Sequence, residues 1–188
     1  MPGPTCQECQ EWPPGLRAAR SACLLAPPAD ALVHQLKYRA WHGLAPLMAN
    51  AMLNVRMPDD VREEARLVVP VPTTAARLRE RGYNQAELLA RAFADASNTT
   101  LISALARGSG ASSQTTLQPA ARLANVAGAF GPVAGMEAEI AGEHLVLVDD
   151  VLTTGATITA CTQALVAAGA RCVSVVTFAR ATGRMRLD

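Results

Sequence analysis

Residues 145 to 178 constrain the fold more than any other stretch of the chain. Leu145–Val148 is a four-residue apolar run that ends in Asp149 and Asp150, and Thr157–Ala168 has the pattern of a helix. Gly169 follows where a helix C-terminus calls for glycine, and Cys172–Phe178 is a second apolar run. Strand, loop, helix and strand with a crossover of this length form a βαβ unit, which makes the two strands parallel. The chain is therefore read as α/β, with a mostly parallel central sheet flanked by helices.

The remaining segments extend that architecture. Ser21–Leu25 predicts a strand that stops at Pro27-Pro28, and Leu32, Val33, Leu36, Leu44, Leu47, Met48, Met52 and Leu53 recur at helical spacing with a break near His42-Gly43. Residues 58–65 read as a polar connector with helical character. Leu67–Pro72 predicts a buried strand entering a loop at about Pro70, because proline gives no ladder donor. Asn84-Gln-Ala-Glu87 predicts a capping box, with Asn84 accepting from the Glu87 amide and Glu87 reaching back, ahead of a helix that ends near Ser97. Thr99–Leu105 predicts a short strand. Gly108–Thr116 holds little that could anchor a core and reads as a mobile loop.

The chemistry concentrates in Leu145–Thr157, LVLVDDVLTTGAT. In open parallel sheets ligands bind at the carboxyl ends of the strands, which is where Asp149 and Asp150 are expected. Thr153, Thr154, Gly155, Ala156 and Thr157 then form a small turn that leads into a helix. Such a turn brings backbone amides, hydroxyls and a helix N-terminus to an anion. Two carboxylates accept hydrogen bonds from vicinal hydroxyls, so an acid pair beside a phosphate cradle points to a ribose 5-phosphate. A simple cap of the turn needs one acid and leaves the rest of the arrangement unused. Neither G-x-x-x-x-G-K-[ST] nor G-x-G-x-x-G is present in this stretch.

Composition narrows the partners. Seventeen basic and sixteen acidic residues leave a net charge of +1, unlike a protein held to DNA through phosphates, so nucleic-acid contact would need a local patch. Two Trp, two Tyr and three Phe give little material for a base-stacking platform. No apolar run reaches the roughly 18 residues that span a bilayer, and the N-terminus lacks the order of a secretory signal, so a cytoplasmic location is expected. Five cysteines, at 6, 9, 23, 161 and 172, argue against a disulfide framework.

The 145–157 segment resembles the phosphoribosyl-pyrophosphate (PRPP) motif of type I phosphoribosyltransferases. His34–Tyr38, Val69–Pro72, Arg77–Gln85, Gln114–Leu117, Arg122, Asn125 and Ala129-Phe130 further resemble the ComF family of competence-associated, phosphoribosyltransferase-like proteins. The resemblance implies the type I phosphoribosyltransferase fold with a small hood. It implies that Asp149 and Asp150 hold the ribose hydroxyls and that Thr153–Thr157 bind the 5-phosphate. Val71, Pro72, Thr73 and Thr74, with Arg77 or Arg81, become candidates for pyrophosphate, and Gln114 and Thr115 fall in the loop that closes over the site. Arg can clamp pyrophosphate bidentately, although Arg77, Arg79 and Arg81 equally suit a solvated helix face. Lys37 and Tyr38 could contact ligand or simply pack at a helix end.

Magnesium is the implied cofactor, since this hard ion prefers phosphate and hydroxyl oxygens. The implied role is PRPP binding in competence and DNA uptake, with phosphoribosyl transfer to an unnamed acceptor. The alternative is a non-catalytic module that senses PRPP or a nucleotide and supports single-stranded DNA handling. Competence-machinery proteins are implied partners, and a homodimer is common among resembling proteins. ComF-like chains usually start with a four-cysteine zinc ribbon. Here Cys6 and Cys9 supply one pair only, so residues 1–18 are expected to be a truncated or degenerate ribbon with the first zinc pair upstream of Met1, ahead of a domain over 19–188.

Overall fold

The computed structural model describes residues 12–108 and 129–181. The chain runs β1 (Leu16–Leu24), α1 (Ala29–Tyr38), α2 (Leu44–Leu53), α3 (Asp59–Glu64), β2 (Leu67–Pro70), α4 (Ala75–Arg81), α5 (Gln85–Ser97), β3 (Thr100–Leu101) and β4 (Leu105–Arg107). It continues through β5 (Phe130–Pro132), α6 (Glu137–Ile140), β6 (His144–Leu152), α7 (Ala156–Ala167) and β7 (Cys172–Arg180). Five strands in the order β1-β7-β6-β2-β3 form one sheet, parallel at every pairing. β4 and β5 make a separate antiparallel ribbon.

Strand alternation divides the core into two layers. On one face Val146, Val148, Val176 and Phe178 pack with Leu36 of α1, Met48 and Met52 of α2, and Leu89 and Phe93 of α5. On the other, Leu145, Leu147, Val173 and Val175 pack with Ile158, Cys161 and Leu165 of α7. Each fully buried Leu or Met in these layers contributes ~2 kcal/mol of hydrophobic stabilisation. The βαβ unit closes through Gly169, whose φ of +107° lets its amide reach the Val166 carbonyl at 3.0 Å and the Ala170 amide reach Leu165 at 3.0 Å.

Several elements differ from the sequence expectation. β1 starts at Leu16 rather than Ser21, because its pairing with β7 begins at Leu16 opposite Val173, with a register shift between Leu16 and Ala18. The single strand expected over Thr99–Leu105 is two pieces: β3 borders β2, and β4 leaves the sheet to pair with β5. β6 continues past Val148 to Leu152, since pairing with β7 goes on through Asp149, Val151 and Leu152. The acid pair thus lies within a strand rather than after it. Cys6 and Cys9 lie outside the described residues, as do Gln114, Thr115 and the rest of the 109–128 segment. Among the described residues no helix is long and apolar enough to cross a membrane.

Candidate functional site

The topology opens a crevice between β2 and β6. β6 is followed by β7 toward one edge of the sheet and β2 by β3 toward the other, and their following helices cover opposite faces. Loops leaving two such strands diverge, and ligands bind in the gap between them. β2 ends at Pro70 opposite Val148, and the last bond across the pair runs from the Val71 amide to the Val148 carbonyl at 2.9 Å. Beyond it β6 carries Asp149 and Asp150 alone on that side. A cleft of about 300 Å³ occupies the gap.

The two acids are in unequal surroundings. Asp150 is 3% exposed, and its Oδ2 lies 2.6 Å from Lys37 Nζ, which reaches in from the last turn of α1. The Asp149 carboxylate accepts the Asp150 amide at 2.8 Å. Burial, followed by the nearby Asp150 carboxylate, holds the Asp149 carboxyl well above the usual carboxylate range. Lys37 thus pairs with one acid, while its neighbour resists ionisation.

Thr153 and Thr157 line the cleft beyond the acids. Gly155 takes φ +81° as the residue before α7, a left-handed conformation that a side chain would strain by about 1–2 kcal/mol. That turn aims the first amides of α7, which have no intrahelical acceptors, toward the crevice end of the sheet. Ala156 donates weakly to Thr154 Oγ1 at 3.5 Å, and Thr154, Gly155 and Ala156 do not line the cleft with their side chains.

The loop after β2 forms the opposite wall. Val71, Pro72, Thr73 and Arg77 line the cleft, while Thr74 caps α4 by accepting the Arg77 amide at 3.1 Å. Arg81 turns away: its guanidinium lies 4.8 Å over the Tyr38 ring and donates to Gln85 Oε1 at 3.1 Å. Asn84 fixes this wall. Its side-chain amide donates to the Val71 carbonyl at 3.0 Å, and its Oδ1 accepts the Ala86 amide at 3.2 Å. The cap therefore serves Ala86 rather than Glu87, because the other half of the Asn84 side chain is committed to the loop, and Glu87 instead faces Arg91 at 3.6 Å. Tyr83 donates its hydroxyl to the Leu36 carbonyl, which locks the turn before α5 against the helix that delivers Lys37.

Sequence reasoning missed Arg107. It lines the cleft from β4, its guanidinium lies 4.9 Å over the Phe130 ring, and its Nε has no hydrogen-bond partner among the described residues. Burial, then the positive charge of Arg77, lowers its pKa. The one available signal was its position two residues after Leu105 on a short alternating strand, directly before the hydroxyl-rich segment. Gln85 and Asn84 also line the cleft, as part of the 77–85 motif. In sum, Lys37, Arg77 and Arg107 converge with Asp149 and Asp150 on one cavity, a set that suits a ligand with anionic ends and a hydroxylated middle.

The phosphoribosyl transferase domain model matches residues 62–188. Over 93% of its length the chain is 30% identical to the DNA utilization protein YhgH of Salmonella typhimurium strain LT2, of which it spans 77%. It is 29% identical to the protein of that name from Escherichia coli K12, over 90% of this chain and 75% of that one. A solved structure of the allosteric regulatory enzyme of purine biosynthesis aligns with 72% of this chain and 25% of its own, at 24% identity and a TM-score of 0.46.

Proposed function

The chain belongs to the phosphoribosyl transferase domain family, in its ComF branch, and on that premise we propose that the β2–β6 cleft binds PRPP with magnesium. The observation that supports the reading is the convergence of the acid pair, Thr153 and Thr157 from the turn into α7, and Arg77 and Arg107 on one cavity of about 300 Å³. Asp149 and Asp150 accept from the ribose 2- and 3-hydroxyls, and the amides and hydroxyls of Thr153–Thr157 receive the 5-phosphate. Val71–Thr74, Arg77 and Arg107 hold the pyrophosphate. The β4–β5 ribbon and α1 serve as the hood.

Lys37, Arg77 and Arg107 outnumber the two carboxylates, and Asp150 is already paired with Lys37. The donors present therefore fit a magnesium ion that arrives on pyrophosphate and ribose oxygens, not one caged by carboxylates. When bound, magnesium supplies charge stabilisation for the leaving pyrophosphate. The chain's own residues position the reactants: the turn anchors one end of the sugar, the arginines the other, and the acids fix the ring between them. As the bond from the anomeric carbon breaks, its electron pair leaves with pyrophosphate, and the positive charge that grows on the sugar lies beside the acid pair. Transfer releases pyrophosphate to the arginine wall and joins the acceptor's nucleophile to the anomeric carbon.

A second reading is binding without transfer, in which the cytoplasmic protein senses PRPP or a nucleotide and supports single-stranded DNA handling. It is favoured by the cleft lining, which among the described residues contains no His, Glu or aromatic side chain to serve as base or acceptor platform. Calorimetric titration of PRPP with magnesium into wild type and Asp149→Asn/Asp150→Asn tests the shared premise. Micromolar binding, about −8 kcal/mol, that is lost in the double variant supports a PRPP site. Pyrophosphate release with candidate acceptors, beside DNA binding with and without PRPP, separates the two readings. No binding by the folded wild type rejects both.

A further inference from the structure

A second cavity, of about 290 Å³, lies between the sheet and helices α2, α3 and α5 and shares no lining residue with the first. Val146 and Val176 form its floor, and Met52, Met57 and Phe93 its walls. Protein interiors close-pack, with few voids larger than a water molecule, so apolar space of this size is room that a small ligand can fill. The hydroxyls at its edge are already engaged: Ser97 and Thr99 bond each other at 2.7 Å, and Ser97 donates to the Phe93 carbonyl at 2.8 Å. Nothing in that wall is left to read the polar edge of a base or a sugar.

The opening carries charge of one sign. Arg62 on α3 and Arg66 two residues beyond that helix line the cavity, and neither guanidinium has an acidic partner among the described residues. Two acids of α3 are committed elsewhere, Asp60 to Arg17 at 2.6 Å and Glu64 to Arg171 at 2.5 Å, and the other two, Asp59 and Glu63, do not line the cavity. Guanidiniums in this position match a carboxylate bidentately.

We infer that this cavity is a binding site for a medium-chain carboxylate, whose tail enters between Met52, Met57 and Phe93 and whose head group meets Arg62 and Arg66. Removal of the tail from water supplies the affinity, and the arginines select the anion. The site is separate from the β2–β6 cleft and stands whether or not that cleft binds PRPP.

The test is titration of octanoate into the full chain labelled at methionine methyl carbons. Methyl signals of Met52 and Met57 are expected to shift saturably with a dissociation constant below ~1 mM, while those of Met48 and Met136, which do not line the cavity, stay in place. Arg62→Gln/Arg66→Gln alters two exposed residues and is expected to weaken octanoate at least tenfold. Octan-1-ol, the same tail without the charge, is expected to bind wild type at least tenfold more weakly and to be indifferent to the double substitution. The inference is overturned by any of three results: no saturable shift, equal shifts at all methionines, or octanoate binding unchanged in the arginine variant.

Discussion

Lys37 Nζ sits 2.6 Å from Asp150 Oδ2 and so ties the last turn of α1 to the strand that carries the acid pair. The carboxylate side chain is 5% exposed and the lysine 22%, so removal of the cation strands a nearly buried charge. Lys37→Met is expected to cost on the order of 2 kcal/mol, less than for a fully buried pair because the lysine keeps some solvent. Lys37→Met/Asp150→Asn should recover most of that loss. Urea unfolding of the four proteins in the cycle gives the coupling, and a value near zero would show the ion pair to be immaterial.

Asp149 makes stability depend on pH in the direction opposite to most carboxylates. Its folded pKa is raised, first by burial and then by Asp150, so above the unfolded value of about 3.9 the native protein holds a proton that the unfolded chain has released. Stability therefore falls as pH climbs from about 4 through the folded pKa. Asp149→Asn, which keeps an acceptor for the Asp150 amide, should match wild type near pH 4 and exceed it increasingly toward neutrality. His144, whose pKa is lowered chiefly by burial, removes stability as pH drops below about 6.5, but both proteins contain it and the difference cancels it. A stability difference that is flat with pH would contradict this account of Asp149.

The parts of this site that were legible in the sequence are those coded by contiguous residues. Leu145–Thr157 announces strand, acids, turn and helix because each follows the last along the chain, and Gly169 marks the end of that helix by its conformation. The exact extent of β6 was not legible, because its last four residues are strand only by virtue of β7 beside them. The same holds for the split between β3 and β4, which depends on where β5 lies. Lys37 was ambiguous from sequence, since nothing local shows that a lysine at a helix end faces a carboxylate 113 positions later. Arg107 was missed for the same reason, since its place on a short alternating strand does not show which cavity it enters.

Asn84 joins the cap of α5 to the loop after β2, and its two roles can be separated. Asn84→Ala loses both the acceptor for Ala86 and the donor to Val71, for a destabilisation of about 1–2 kcal/mol. Asn84→Ser keeps a capping oxygen but lacks the reach to Val71, so its stability should lie between wild type and Asn84→Ala. Both variants should bind PRPP several-fold more weakly, because Val71–Thr74 lose their tether. If Asn84→Ser binds as wild type does, the bond to Val71 has no part in shaping the cleft.

Arg107 is held in the cleft at an electrostatic disadvantage, which is the arrangement expected of a group that awaits an anion. Burial and Arg77 both disfavour its charge, and its Nε makes no hydrogen bond among the described residues. An anionic ligand reverses each of these penalties, and a charge-assisted hydrogen bond is worth about 1.5–3 kcal/mol. Arg107→Met keeps an apolar stem against Phe130 and is expected to leave unfolding free energy unchanged or slightly higher, while PRPP and pyrophosphate bind ~10- to 100-fold more weakly. Arg107→Lys restores the charge without the planar fork and should recover only part of that affinity. Calorimetric titrations beside urea melts distinguish this from a packing role, for which Arg107→Met would lower stability and leave affinity intact.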